Sequence, residues 1–88
     1  MEQGAGRPGC VMGPAAYRTA GLGNQLRDLG FAVEDLGDVS LVPAEDLAAY
    51  SGTLKNLPEV AGWTRAIHAQ ACDLALSDAV PIYMGGDH

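Results

Sequence analysis

The chain has 88 residues, 48% of them apolar, with 11 acids against 5 bases and a formal charge of −6. That length holds one small domain, residues 1–88, and the apolar share excludes disorder by composition. No basic stripe exists to neutralise phosphates, which argues against nucleic acid, and an acidic chain is equally ill-suited to an anionic membrane surface.

The opening Met-Glu-Gln-Gly-Ala-Gly carries no apolar core of a secretory signal. No later run approaches transmembrane length. Gly4, Gly6, Gly9 and Gly13 with Pro8 mark residues 1–13 as loop. Gly4 to Gly9 formally match the G-x-G-x-x-G dinucleotide pattern. No strand precedes it and Pro8 interrupts the helix that should open, so that reading is rejected.

Pro14 opens the first helix, where its missing N–H costs nothing. Ala15, Arg18 or Thr19, Leu22, Leu26 and Leu29 follow helical spacing and predict one apolar face. Gly21 and Gly23 weaken it, each by about 1 kcal/mol relative to alanine. Gly30 is a natural C-terminal cap. Phe31 to Leu36 alternates and is rich in strand formers, which predicts a strand ending at Gly37. Glu45 to Tyr50 suits a short helical turn after Pro43.

The next helix is expected at residues 58–78. Pro58 and Glu59 suit its first turn, and Val60, Trp63, Ile67, Ala71 and Leu74 recur at spacings of 3, 4, 4 and 3 as a buried stripe. Val80 to Met84 is a short apolar run, as expected of a strand buried on both faces. The implied architecture is α/β, with a right-handed crossover between two parallel strands.

Three sets of residues carry possible chemistry. His68 and Cys72 are i, i+4 neighbours, a spacing that can bind a metal. With two donors only, a histidine flanking the core is the commoner role. Cys10 and Cys72 lie far apart without a C-x-x-C pattern, so both read as free thiols of a reducing cytosol. Asp35 and Asp38 flank a strand end, where two carboxylates can bind a cation but more often hydrogen-bond turn amides. Gly85-Gly86-Asp87-His88 follows the last strand, where α/β sheets place their sites. There His88 can ligate a metal or move a proton, while Asp87 can equally cap a following helix.

Three segments resemble the arginases. Gly6 to Leu22, with its Gly13-Pro14-x-x-x-Arg18 element, is similar to their amino-terminal segment. Val33-Glu34-Asp35-Leu36-Gly37-Asp38-Val39 is similar to their acid-and-glycine strand end, and Gly85 to His88 to the start of their metal site. Ala20-Gly21-Leu22 leans toward arginase over agmatinase or formiminoglutamase. The resemblance implies a three-layer α/β/α enzyme with a binuclear manganese centre. A metal-bridging hydroxide would split L-arginine, or a related guanidinium substrate, into L-ornithine and urea. His88 would be the first histidine ligand.

The family's Asp-x-His-x-Asp and Asp-x-Asp ligand segments do not occur among the 88 residues. Within them no catalytic and no other cofactor-binding residue is assigned. The expectation is therefore a truncated, partial α/β/α fold: a fragment of a cytoplasmic, homo-oligomeric manganese hydrolase, inactive alone. The alternatives are a small non-catalytic interaction module and a decayed remnant.

Overall fold

The computed structural model describes residues 8–85. Helix α1 spans Met12–Thr19 and α2 spans Leu22–Asp28. A 3-10 turn occupies Glu45–Leu47, and α3 spans Leu57–Ala75.

The single helix expected from Pro14 to Gly30 is two helices. Gly21 lies between them at φ 86, a left-handed conformation that stops α1 and turns the chain into α2. Pro14 is the third residue of α1, where the N–H has no intrahelical partner in any case. Gly30 caps α2 as expected. Its φ is 96, its N–H donates to the Arg27 carbonyl at 2.9 Å, and the Phe31 N–H donates to the Leu26 carbonyl at 3.2 Å. That pair of bonds is a Schellman motif. Helix α3 carries Pro58 and Glu59 in its first turn. At its far end the Ser77 hydroxyl donates to the Leu74 carbonyl at 2.8 Å.

No strand forms among the described residues. The expected parallel sheet, and with it the partial α/β/α architecture, is therefore incorrect for this structure. A strand exists through its ladder, and a parallel strand needs cover on both faces. Here the backbone of residues 31–37 is engaged locally. The Phe31 N–H caps α2, the Val33 carbonyl accepts from Arg27 at 3.0 Å, and the Gly37 N–H donates to the Asp35 carboxylate at 2.9 Å. The last apolar run, expected to be doubly buried, is open to solvent: Val80 is 88% exposed and Ile82 63%.

Helix α1 packs on α2, and α3 packs on the 3-10 turn, but neither helix of the first pair touches α3. The second pair is joined by close backbone approach. The Ala44 N–H donates to the Pro58 carbonyl at 3.0 Å, and Ala44 is the only buried apolar side chain among the described residues. Gly62, inside α3, is buried against the Val42 carbonyl oxygen, with Leu41 Cδ1 3.1 Å from where a Cβ would sit. Arg65 locks the contact from outside, its guanidinium donating to both Asp46 oxygens at 2.6 and 3.0 Å.

The result is a slab of 51 × 31 × 15 Å with a radius of gyration of 15.5 Å. A compact chain of this length has a radius near 12 Å, so ~12 Å is the standard it exceeds. Its accessible surface is 6816 Å², against about 4,900 Å² for a folded monomer of the same mass. No described helix is long and apolar enough to cross a membrane.

Two outcomes follow from this geometry. The isolated chain is expected to bind the apolar dye ANS and to give poorly dispersed amide NMR signals; cooperative unfolding as a soluble monomer with sharp signals would contradict it. Gly62→Ala gains about 1 kcal/mol of helix propensity, yet its methyl must displace the Val42 carbonyl. Mass-spectrometric hydrogen exchange is therefore expected to quicken over residues 41–47, and unchanged exchange would refute the close approach.

Candidate functional site

Helix α1 presents Arg18 near its last turn, where a cation also complements the helix dipole. The side chain crosses to the segment after α2. Its Nε donates to Asp35 Oδ2 at 2.8 Å, its Nη2 to Asp35 Oδ1 at 3.1 Å and its Nη1 to Asp38 Oδ1 at 2.7 Å. Asp35 thus accepts a two-pronged guanidinium contact, and Asp38 takes the remaining arm. The Gly37 N–H donates to the same Asp35 carboxylate, and Gly37 adopts φ 77. The expected turn role is present for Asp35, bonded to a backbone amide two residues on, and the left-handed Gly37 completes the turn.

The cluster is a turn clamped by arginine. Three of its donors occupy three of the four carboxylate oxygens that a cation would otherwise use. Hydrogen bonds from Arg18, then from the Gly37 amide, hold the Asp35 carboxyl below the usual carboxylate range. The hydrogen bonds to Asp35 and then to Asp38 push Arg18 further above its already high value. Arg65 lowers Asp46 in the same way at the 3-10 turn. Arg18 was placed by spacing on the apolar face of its helix. In the structure it is half-buried and paired instead. The signal available was the Gly-Pro-x-x-x-Arg element itself, read next to two acids downstream.

The segment that leads to His88 returns to this region. Ile82, Tyr83, Met84 and Gly85 line a shallow pocket of about 320 Å³ with Gly13, Pro14, Tyr17 and Leu22. Gly85 also lines a broad open groove with Arg18, Asp35, Gly37 and Asp38. The three motif segments therefore converge on one face. His88, the expected metal ligand, lies outside the described residues, as do Gly86 and Asp87 and, at the other end, Gly4 to Arg7.

His68 and Cys72 do meet. The Cys72 sulphur lies 3.7 Å from His68 Nε2 and 3.9 Å from Nδ1, and both side chains are exposed on α3. Cys10 and Cys72 are free thiols. No group of three or more His, Cys, Asp or Glu among the described residues is arranged to hold a metal ion. The described residues therefore do not fit a binuclear centre.

A model of the arginase family matches residues 1–88. The chain belongs to the arginase family. It is 44% identical over its whole length to the arginase of Agrobacterium fabrum, covering 27% of that protein. It is 36% identical to the arginase of Brucella melitensis, covering 28%, and 37% identical to human mitochondrial arginase-2, covering 25%. The arginase-family chain thus spans about a quarter of the length of these curated relatives. No solved structure matches it.

The clamp predicts a pH response with a defined sign. Because the Asp35 pKa is lowered in the folded state, its contribution is present above the ordinary aspartate value of about 3.9. It is lost as pH falls through the lower folded value. A carboxyl-carbon NMR titration is expected to place Asp35 below the ordinary range, and Arg18→Gln to return it there. An ordinary value in the unsubstituted chain would remove the clamp.

Proposed function

We propose that this chain is the amino-terminal part of an arginase-type hydrolase. The complete protein would cleave a guanidinium C–N bond with water and convert L-arginine to L-ornithine and urea. The family match across residues 1–88 carries this reading. The relatives it resembles are arginases, which supports arginase over agmatinase, as does the Ala20-Gly21-Leu22 element.

Manganese is the metal proposed for the complete protein, with His88 among its ligands. Carboxylate and imidazole donors together suit that ion. A catalytic site needs three or more protein ligands besides its open position, so one histidine does not constitute a centre. The 88 residues are accordingly proposed to be inactive alone. The same reading places the complete protein in the cytoplasm as a homo-oligomer, free of nucleic acid and membrane.

The arrangement of the described residues gives the chain a positioning role. Arg18 fixes the 35–38 turn, and the pocket against Gly13 and Pro14 seats the 82–85 segment beside it. In the proposed hydrolase these contacts set the direction in which the chain proceeds toward His88.

The purified chain, given Mn²⁺ and L-arginine, is expected to release no urea. Urea release that His88→Ala abolishes would overturn the proposed inactivity. Separately, an Asp-x-His-x-Asp segment encoded in the adjoining downstream DNA is the expected genomic finding. Its absence would favour a remnant or an interaction module.

A further inference from the structure

Helix α3 carries an imidazole and a thiol one turn apart, away from the groove that gathers the family motifs. Neither His68 nor Cys72 lines that groove. Both are exposed, and the sulphur stands 3.7 Å from His68 Nε2. A zinc-like ion binds thiolate at about 2.3 Å and imidazole nitrogen at about 2.0–2.1 Å. At a tetrahedral angle those bonds hold sulphur and nitrogen about 3.6 Å apart. The separation suits a chelate but the aim does not: the sulphur is nearly as close to Nδ1, at 3.9 Å, so it lies beside the ring and off both lone pairs, and binding requires the side chains to turn on a 19-residue helix that fixes their backbones. Each side chain is free to rotate into line with the ion.

We propose that His68 and Cys72 form a two-donor site for a thiophilic divalent cation such as Zn²⁺, with water filling the remaining positions. On binding, the Cys72 S–H bond breaks, sulphur bonds to the metal, and the proton leaves to solvent. Neighbouring charges favour a cation. Asp73 follows Cys72 directly, and Arg65, one turn before His68, is neutralised by Asp46 at 2.6 Å. The donor pair selects against the harder Mn²⁺, which prefers carboxylate and water oxygens. This site is therefore chemically distinct from the manganese site proposed for the complete protein, and it does not depend on that proposal.

The test is a Co²⁺ titration of the full 88-residue chain bearing Cys10→Ser, which leaves Cys72 as its single thiol. A thiolate-to-cobalt charge-transfer band in the near ultraviolet is expected, displaced by Zn²⁺ and not by Mn²⁺. Adding Cys72→Ser should abolish the band. Adding His68→Gln should raise the half-saturating Co²⁺ concentration at least about tenfold, since loss of even an outer-shell partner of a ligand costs about 10–100-fold. Both positions are exposed, so neither change removes packing. No band in the Cys10→Ser chain, a band that survives Cys72→Ser, an unchanged half-saturation in His68→Gln, or equal displacement by Mn²⁺ would each overturn the proposal.

Discussion

The Arg18 guanidinium is the constraint on which half of this structure depends. It reaches 17 and 20 residues ahead to Asp35 and Asp38 and ties the chain leaving α2 back to α1. Without that tie, nothing but the Schellman cap and one Arg27 contact would direct residues 31–38. The geometry is bidentate, which gives it directional force that a lysine would lack. Yet both carboxylates are exposed, Asp38 the more so, and Arg18 is only half-buried. Exposed ion pairs stabilise little unless, as here, a bidentate geometry or a shared partner strengthens them, and solvent still screens the gain. The clamp sets direction more than it sets stability.

The other half relies on backbone proximity. Gly62 lets Val42 and Leu41 lie directly on α3, and Ala44 closes the seam with its hydrogen bond to Pro58. Only there, among the described residues, is an apolar side chain buried, Ala44 at 5% exposure. Between the halves lies a groove lined by Leu26, Phe31, Val39, Trp63, Ile67 and Leu74. These are the large side chains that would form a core in a compact domain. The Trp63 indole N–H is shielded from solvent there with no hydrogen-bond partner, an arrangement that costs stability. A chain built this way has its apolar surface assembled but not closed.

The helices were legible because their signals are local. Pro58 and Glu59 announce the start of α3; of its stripe, Trp63, Ile67 and Leu74 face the groove, but none of the five stripe residues is buried as expected. Gly30 announced the end of α2. Gly21 was legible as a weakness, but whether a glycine bends or breaks a helix depends on its φ, which spacing does not encode. The strands were misread for the converse reason. Alternation in Phe31 to Leu36 reports only a preference for extended backbone. A strand additionally needs a neighbour, which is a non-local fact. Arg18 was misjudged likewise, since its two partners lie far along the chain and spacing within α1 cannot reveal them. Asp35 was readable as a turn residue because its bond to Gly37 spans only two residues.

Two imidazoles were singled out by sequence, and structure separates them by what each requires. His88 resembles a ligand whose companion donors come from other segments of the family, so its chemistry depends on long-range assembly. His68 has its only companion one helical turn away, and a helix holds that spacing from within, by its own hydrogen bonds. The open groove and thin core weaken anything that requires distant parts to meet. They weaken a one-turn pair much less, because α3 carries both donors. The family resemblance puts the histidine of its metal motif first; within the 88 residues, the His68–Cys72 pair is the one whose two donors need no distant segment. Spacing held within one helix is what distinguishes the proposed His68–Cys72 site from a site that must be assembled from separate segments.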